Sequence, residues 1–340
     1  MSEARSPSIQ PLAVSLGDPA GVGPELIAQA WCDRARFGLP AFAVVGGVRL
    51  LAAAAASRGL EVPVEPIARM SEATDVFGRA LPVLGPIDGV YAPGAPDKDG
   101  AAIALASLEQ AAQAVFAGEA AALVTGPIAK ARLAEVGFHF PGQTEFVAHA
   151  CGVTAQDAVM MLAGPQLRTI PLTVHLALAK VPGAISLDLI RRRARIAAEA
   201  LTRDFGIARP RIAVAGLNPH AGEDGRMGDE EQSIIAPAIE ALRGDGLAVT
   251  GPHPADALFA PHAREDYDVA LCMYHDQALI PLKALDFDSG VNVTLGLPIV
   301  RTSPDHGTAF AIAGTGHASA GATIAAIRMA GECAARRAAA

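Results

Sequence analysis

One stretch in the C-terminal third of the chain concentrates side chains that can do chemistry. The apolar run 269–274 has the length of a buried strand, and three polar residues end it: His275, Asp276 and Gln277. An imidazole, a carboxylate and an amide therefore arrive together at one strand end. Three more polar residues follow among glycine, proline and apolar residues: Lys283, Asn292 and Arg301. We expect charges in so apolar a context to face a cleft.

Two earlier blocks of the chain share this design. The apolar runs 168–174 and 211–217 are followed by His175 and His220. Helical stretches separate the runs, and strands that alternate with helices indicate a parallel α/β sheet, in which ligands gather at the carboxyl ends of the strands. Three neutral imidazoles suit Zn²⁺ or another divalent transition metal. Each histidine can also be purely structural, because no His-Glu-x-x-His pattern fixes a geometry.

The basic residues that follow His275 indicate the class of ligand and the classes of reaction. Lysine and arginine recognise phosphate or carboxylate, and arginine often does so through two parallel hydrogen bonds. A metal that is chelated by a substrate hydroxyl polarises that oxygen and eases the loss of its proton. Two reaction classes follow: oxidation with hydride transfer to a nicotinamide, and hydrolysis of a phosphate ester by metal-bound water. A third hypothesis is a protein that binds a metal and an anion without turnover.

A glycine-rich turn, Gly17-Asp-Pro-Ala-Gly-Val-Gly-Pro-Glu25, joins a short N-terminal strand to a helix. Backbone N–H groups at such a helix start can face an anion. The turn lacks the Gly-Lys-Ser/Thr ending of a P-loop and does not match Gly-x-Gly-x-x-Gly. Because a tight turn needs glycine for backbone reasons in any case, a structural role stays open beside a ligand-binding one.

Composition limits the class of protein. A chain of 340 residues is long for one hydrophobic core, which predicts two domains. Hydrophobic residues make up 51% and charged residues 18%, which is typical of a globular protein. The net charge of -8 argues against nucleic acid as a partner, since a phosphate backbone attracts a basic surface.

The cysteines and the N-terminal segment indicate the cellular compartment of the protein. The cysteines are far apart and form no Cys-x-x-Cys pair, which is typical of a reducing compartment: Cys32, Cys151, Cys272 and Cys333. The segment around Glu3 has no apolar signal core. The most apolar window, 39–56, is interrupted by proline, glycine and arginine, so it predicts no membrane span. We expect a cytoplasmic protein.

Several motifs together resemble one family, that of 4-hydroxythreonine-4-phosphate dehydrogenase, over nearly the whole chain. They are the turn 17–25, Thr125-Gly-Pro-Ile-Ala-Lys130, Gly142-Gln-Thr-Glu-Phe146, Gly216-Leu-Asn-Pro-His-Ala-Gly-Glu223, Met273-Tyr-His-Asp-Gln277, 290–298 and Arg301-Thr-Ser-Pro-Asp-His-Gly-Thr308. The resemblance implies the isocitrate/isopropylmalate dehydrogenase-like fold, with two α/β domains, an interdomain cleft and a homodimer. The first domain would comprise 1–140 plus 296–340 with a nucleotide loop, and the second, 141–295, would carry the metal and dimer-interface residues.

The resemblance also implies roles for individual residues. A divalent metal (Zn, Mg or Co) would be held by His175, His220 and His275, one of them supplied across the dimer interface. The implied substrate contacts are Gln143, Thr144, Lys283, Asn292 and Arg301. The implied loop for the adenosine part of NAD or NADP contains His306, Gly307, Thr308, Ala309 and Gly314. Asp276 and Lys283 are the candidate catalytic residues, and Asp276 can equally cap the turn that follows it.

By the same resemblance, the C3 hydroxyl of 4-phosphooxy-L-threonine is oxidised and the resulting 2-amino-3-oxo acid loses CO₂, in pyridoxal phosphate biosynthesis. One position departs from the family pattern, because Gln143 stands where many members have histidine. Glutamine can donate and accept hydrogen bonds but cannot titrate. This leaves room for a related dehydrogenase of phosphorylated sugar acids (threonate or erythronate phosphate) or of a cyclic diol carboxylate. The basic residues favour a small phosphorylated substrate.

Overall fold

A computed structural model of the protein describes residues 10–339. Within this range twelve β-strands alternate with thirteen α-helices, which confirms the predicted α/β class. No helix in the range is both long and apolar enough to cross a bilayer. The prediction about the segment around Glu3 falls on residues 1–9, outside the described residues.

The strands carry the labels β1 (Leu12–Ser15), β2 (Phe42–Val45), β3 (Val64–Ile67), β4 (Leu81–Leu84), β5 (Leu123–Thr125), β6 (Val159–Ala163), β7 (Arg168–Thr173), β8 (Arg211–Ala215), β9 (Ala248–His253), β10 (Val269–Tyr274), β11 (Val291–Leu295) and β12 (Arg301–Pro304). The helices are α1 (Gly23–Cys32), α2 (Arg34–Phe37), α3 (Val48–Ser57), α4 (Ala73–Phe77), α5 (Lys98–Phe116), α6 (Lys130–Ala134), α7 (Gln143–Ala150), α8 (Val181–Ala184), α9 (Leu187–Phe205), α10 (Ala236–Gly244), α11 (Ala255–Leu258), α12 (His275–Asp286) and α13 (Gly321–Ala339).

The chain divides into two compact units. Unit 1 runs to Gly152 and resumes at Pro298, and unit 2 is Val153–Leu297. The first boundary therefore lies after residue 152 where the sequence placed it after 140, and helix α7 belongs to unit 1. The reason is aromatic packing, because Phe146 of α7 lies 5.9 Å from Phe138 and 5.5 Å from Phe140 between ring centroids. These rings pack on the core formed with α5.

Unit 1 is built on parallel strands in the order β3-β4-β2-β1-β5-β12. The central strands β1 and β2 are buried along their whole length, as expected for a sheet covered on both faces. Their carboxyl ends, with that of β5, form the edge where the glycine-rich turn and Thr125 lie. The unit thus brings polar loops of distant sequence position to one edge of its sheet.

Unit 2 has the strand order β11-β6-β7-β10-β8-β9. Strands β7, β10, β8 and β9 run parallel, whereas β6 is antiparallel to both β7 and β11. Residues Val269 to Met273 of the central strand β10 are inaccessible to solvent. The three strands predicted to precede histidines are therefore neighbours, and they end on the same edge of the sheet.

Candidate functional site

The three histidines follow three adjacent strands of unit 2, but they do not converge fully within one chain. His175 follows β7, His275 begins α12 directly after β10, and His220 lies in the turn after β8. The ring centroids of His175 and His275 are 5.9 Å apart. In the described part of the chain, no group of three His, Cys, Asp or Glu side chains is placed to hold a metal ion. One chain thus supplies two adjacent imidazoles.

Two of these histidines have unusual backbone conformations. His175 has φ of +52°. His220 begins a left-handed turn in which residues 220–224 have φ values of +54°, +52°, +80°, +43° and +56°. Only Gly222 in this run adopts such a conformation without steric cost. Left-handed backbone at other residues costs on the order of 1–3 kcal/mol each and is found mainly at functional sites.

A buried carboxylate holds the segment that leads into the left-handed turn and packs against Gly222 within it. Glu231 accepts hydrogen bonds from the backbone N–H groups of Leu217 and Asn218, both at 2.7 Å, and from Asn218 Nδ2 at 2.9 Å. A Cβ atom on Gly222 would lie 2.6 Å from Glu231 Oε2, so only glycine fits there. Glu231 was not predicted from the sequence, in which it lies in a run of acidic residues that is typical of a solvated face.

Asp276 and Lys283 lie on the first and last turns of α12. His275 Nδ1 is 2.7 Å from Asp276 Oδ1, which fixes the ring and leaves Nε2 for a ligand. The Asp276 side chain is 69% exposed. Helical geometry places Asp276 and Lys283 on the same face, about 10 Å apart. Lys283 Nζ lies 5.8 Å from the centroid of the Phe287 ring, within range of a cation–π contact.

Asn292 of β11 has an unsatisfied acceptor. Its Oδ1 atom is buried and accepts no hydrogen bond from the residues that the structure describes. A buried polar atom without a partner costs about 1–3 kcal/mol, which a water molecule or a ligand donor offsets. The predicted substrate contact at Asn292 therefore has an acceptor ready for an N–H or O–H group.

Gln143, Thr144 and Arg301 come together in unit 1. Arg301 begins β12 and is 2% exposed. Its Nη2 donates to Thr125 Oγ1 at 2.7 Å and to Gln143 Oε1 at 3.2 Å, and its Nη1 donates to Thr144 Oγ1 at 3.4 Å. Thr125, at the end of β5, was missed in the sequence, although its place before Gly126-Pro127 marks a strand end.

Burial determines the electrostatics of this arginine. Loss of hydration lowers the pKa of Arg301 to about 10, while the nearby Glu145 carboxylate acts in the opposite direction. The guanidinium therefore stays charged at neutral pH. A buried cation gains most from an anion placed against it, and the fork of an arginine suits phosphate or carboxylate.

The segment 306–314 forms a loop after β12. Nδ1 of His306 lies 3.0 Å from the carbonyl oxygen of Gly307, and its Nε2 is buried and has no hydrogen-bond partner among residues 10–339. The carbonyl oxygen of Thr308 accepts from Val22 N at 2.9 Å, and Ala309 has φ of +48°. A polar cofactor group would satisfy the His306 ring, so the residues present fit a dinucleotide.

A match to a family model shows which protein family the chain belongs to. The model of pyridoxal phosphate biosynthetic protein PdxA matches residues 39–330. The chain belongs to the PdxA family. Sequence relatives of the PdxA chain agree: it is 63% identical to a protein named 4-hydroxythreonine-4-phosphate dehydrogenase from Erythrobacter litoralis (strain HTCC2594), over 97% of this chain and 98% of the relative.

The solved structures that resemble this PdxA family member include two kinds of dehydrogenase. The crystal structure of 4-hydroxythreonine-4-phosphate dehydrogenase from Klebsiella pneumoniae matches with a TM-score of 0.83 and 38% identity, over 98% of this chain and 99% of that one. A terephthalate 1,2-cis-dihydrodiol dehydrogenase from Burkholderia xenovorans LB400 matches with a TM-score of 0.63 and 29% identity, over 95% and 98% of the two chains.

The predicted site residues of this PdxA family member are distributed between the two units. Unit 1 carries three of the substrate residues and the loop 306–314: Gln143, Thr144 and Arg301. Unit 2 carries the histidines and the remaining candidates: Asp276, Lys283 and Asn292. Each unit thus presents its own polar group, a buried guanidinium in one and two adjacent imidazoles in the other.

Proposed function

We propose that the chain oxidises the C3 hydroxyl of 4-phosphooxy-L-threonine with NAD or NADP, in pyridoxal phosphate biosynthesis. The observation that carries this proposal is the 63% identity, over 97% of the chain, to a relative named for that activity. The product, 2-amino-3-oxo-4-phosphooxybutanoate, is a β-keto acid. It loses CO₂ to give 3-amino-2-oxopropyl phosphate.

Arg301 is proposed to bind an anionic group of the substrate. Its guanidinium is buried, and the Thr125, Gln143 and Thr144 oxygens that hold it are neutral. These hydrogen bonds orient the fork without cancelling its charge. Gln143 Nε2 in turn donates to the Gly126 carbonyl at 3.0 Å, so the amide is held in one orientation and supports binding, not proton transfer.

The residues of unit 2 are proposed to bind the substrate at the reacting carbon and its neighbours. The buried Oδ1 of Asn292 suits the ammonium or hydroxyl group of a hydroxy amino acid. Lys283 and Asp276, on one face of α12, are the groups proposed to exchange a proton with the substrate. The Oδ1 atom of Asp276 is engaged by His275, and this contact fixes the carboxylate beside the imidazole.

His175, His220 and His275 are proposed to hold a divalent ion (Zn, Mg or Co), with an imidazole of a second copy completing the set. The donor chemistry fits: within residues 10–339 the rings of His175 and His275 are adjacent, and no third His, Cys, Asp or Glu is placed to complete a metal site. When bound, the ion would stabilise negative charge on the substrate oxygen. Exposed apolar side chains that suit contact with a second copy follow His175 in the chain or lie along and at the end of α12: Leu176, Leu178, Ile280 and Phe287.

The segment 306–314 is proposed to hold the adenosine part of NAD or NADP. Support comes from the buried Nε2 of His306, which has no hydrogen-bond partner in the described part of the chain, and from the hydrogen-bonded backbone of Thr308.

We also propose that the enzyme is cytoplasmic. All four cysteines are free thiols, which suits a reducing compartment. Burial raises the pKa of the Cys32 thiol and raises that of Cys151 to about 11, so neither is a reactive thiolate.

A substrate panel tests the proposal. Purified enzyme with a divalent ion and NAD or NADP is expected to form reduced nicotinamide with 4-phosphooxy-L-threonine. The related activities are tested with threonate phosphate, erythronate phosphate and a cyclic diol carboxylate, since Gln143 and the likeness to a dihydrodiol dehydrogenase favour including them. Reduction with one of these and not with the hydroxy amino acid would reassign the substrate. Phosphate release without nicotinamide reduction would indicate a hydrolase.

A further inference from the structure

The glycine-rich turn 17–25 and the segment 306–318, here called the cofactor loop, are in direct contact within unit 1. The backbone N–H of Val22 donates to the carbonyl oxygen of Thr308 at 2.9 Å. A Cβ atom on Gly21 would lie 2.7 Å from that same oxygen. The glycine thus makes room for the protein's own backbone, so this part of the turn is a support for the loop and not an anion site.

Farther along, a buried carboxylate reaches the same loop. Glu25, in the first turn of α1, is fully buried, and its Oε1 accepts from the backbone N–H of Gly314 at 3.3 Å. Gly314 has φ of +74°, and a Cβ atom there would lie 2.7 Å from Cγ of Pro93. The loop therefore passes through a narrow space in which its backbone is held by a charged group.

An arginine completes the contact at the end of the cofactor loop. Nη1 of Arg58, which follows helix α3, lies 3.6 Å from Glu25 Oε2. Both Nη1 and Nη2 of Arg58 donate to the carbonyl oxygen of Ala318 at 3.1 Å. The pair Glu25–Arg58 thus holds the loop at Gly314 and at Ala318, on either side of the exposed residues Gly316 and His317.

The cost of burying these charges argues that they have a role. Two buried ions lose hydration, and a well-packed apolar pair of similar volume is often equally stable or more so. Unlike an apolar pair, the ion pair fixes the position of the loop backbone, because Arg58 donates two hydrogen bonds to one carbonyl and Glu25 accepts from one N–H. Neither residue belongs to the groups assigned to substrate or metal.

We propose that Glu25 and Arg58 are positioning residues for the dinucleotide, which set its affinity by fixing the cofactor loop. The proposal rests on the function assigned to 306–314. It predicts that breaking the pair loosens the loop and weakens binding of NAD(H) or NADP(H), while the affinity for the phosphorylated substrate stays the same. The ion pair would act before the cofactor arrives, since a loop already held in place loses less entropy on binding.

The experiment compares four variants with the wild-type enzyme. Glu25→Gln and Arg58→Met break the pair, and Arg58→Lys keeps the charge but not the forked contact with Ala318. Arg49→Met is the matched control, because Arg49 lies on α3 and pairs with Asp88 while its side chain is 81% exposed. Dissociation constants for reduced dinucleotide and for substrate are measured separately by calorimetry. Hydrogen exchange of the backbone amides of 306–318 is followed without any ligand.

The expected result is faster exchange in 306–318 and about a tenfold or greater rise in the dinucleotide dissociation constant for Glu25→Gln and Arg58→Met. Arg58→Lys should show a smaller rise, and Arg49→Met none. Unchanged exchange, unchanged dinucleotide affinity or an equal loss of substrate affinity in folded variants would overturn the positioning role alone. A wild-type enzyme that binds no dinucleotide would instead overturn the function on which the role rests. If Glu25→Gln does not fold, Arg58→Lys decides the outcome.

Discussion

Nε2 of Gln277 donates a hydrogen bond to the carbonyl oxygen of Gly216 at 2.8 Å. Oε1 of the same side chain accepts from Met273 N at 2.7 Å. One buried amide thus fastens the end of β10 to the end of β8, and with them the segments that begin at His275 and lead to His220. The amide that follows His275 and Asp276 in the sequence has a structural contact and does not face a ligand.

Replacing this amide should destabilise unit 2. Gln277→Leu leaves the buried Met273 N–H and Gly216 carbonyl without partners, and we expect the free energy of unfolding to fall by about 2 kcal/mol or more. Denaturant unfolding measures the change. Gln113→Leu, on the exposed face of α5, is the control and should change stability by less than about 0.5 kcal/mol. Equal stability of the two variants would contradict the role of Gln277.

Arg301→Ala should raise KM for the phosphorylated substrate about tenfold or more, because the bound anion loses its buried charged partner. Steady-state kinetics at saturating cofactor measure the effect. Arg328→Ala on α13, which removes an exposed arginine with an i,i+4 acidic neighbour, is the control. An unchanged KM in Arg301→Ala would remove this residue from the substrate site.

The affinity for the substrate should fall as pH rises through about 10. Burial lowers the pKa of Arg301 to about 10, so the cation that binds the anion is present below this pH and is lost above it. The ammonium group of the hydroxy amino acid also titrates at alkaline pH, so the probe is inorganic phosphate, whose second pKa is about 6 and whose charge stays nearly constant in this range. Its dissociation constant measured from pH 8 to 11 should therefore rise at the alkaline end. Arg301→Ala should lack this step; a step that persists would assign it to another group.

His220→Ala should lose bound divalent ion and stay folded, because the histidine lies on an exposed turn. Metal content after dialysis, together with the melting temperature, measures both effects. His262→Ala, at another exposed histidine of unit 2, should retain the metal. Full retention in His220→Ala would exclude His220 as a ligand.

Glu231→Gln should weaken both the turn after β8 and metal binding. The neutral amide is a poorer acceptor for the three N–H groups that Glu231 now holds, and hydrogen bonds to charged groups contribute about 1.5–3 kcal/mol. Absorption of bound Co²⁺ reports the ligand geometry directly. Glu230→Gln is a close control, since Glu230 accepts only from Asn218 Nδ2 among the contacts described. Identical Co²⁺ spectra and affinities in the two variants would refute the role of Glu231.

The pattern of apolar and polar residues in the sequence predicted part of the strand arrangement but missed several side-chain contacts. The three apolar runs predicted strands of a parallel sheet, and β7, β10 and β8 are parallel; their direct pairing was not predicted. The contact of Arg301 with Gln143 and Thr144 joins residues far apart in sequence, which no periodicity encodes; the family resemblance grouped the three as substrate contacts without predicting that they contact each other. Glu231 was missed because its burial depends on a left-handed turn whose φ values are unusual for the residues that adopt them.

The left-handed turn 220–224 adopts its conformation when the chain folds. Its conformation is separated from the right-handed region by steric barriers at each non-glycine residue, and the Glu231 carboxylate holds the two residues Leu217 and Asn218 that lead into it. The entropy of arranging His220 is therefore lost when the chain folds and not when an ion binds. A side chain preorganised in this way favours tight binding of the proposed ion, and its backbone makes the turn a poor place for substitutions that aim at a more heat-stable enzyme.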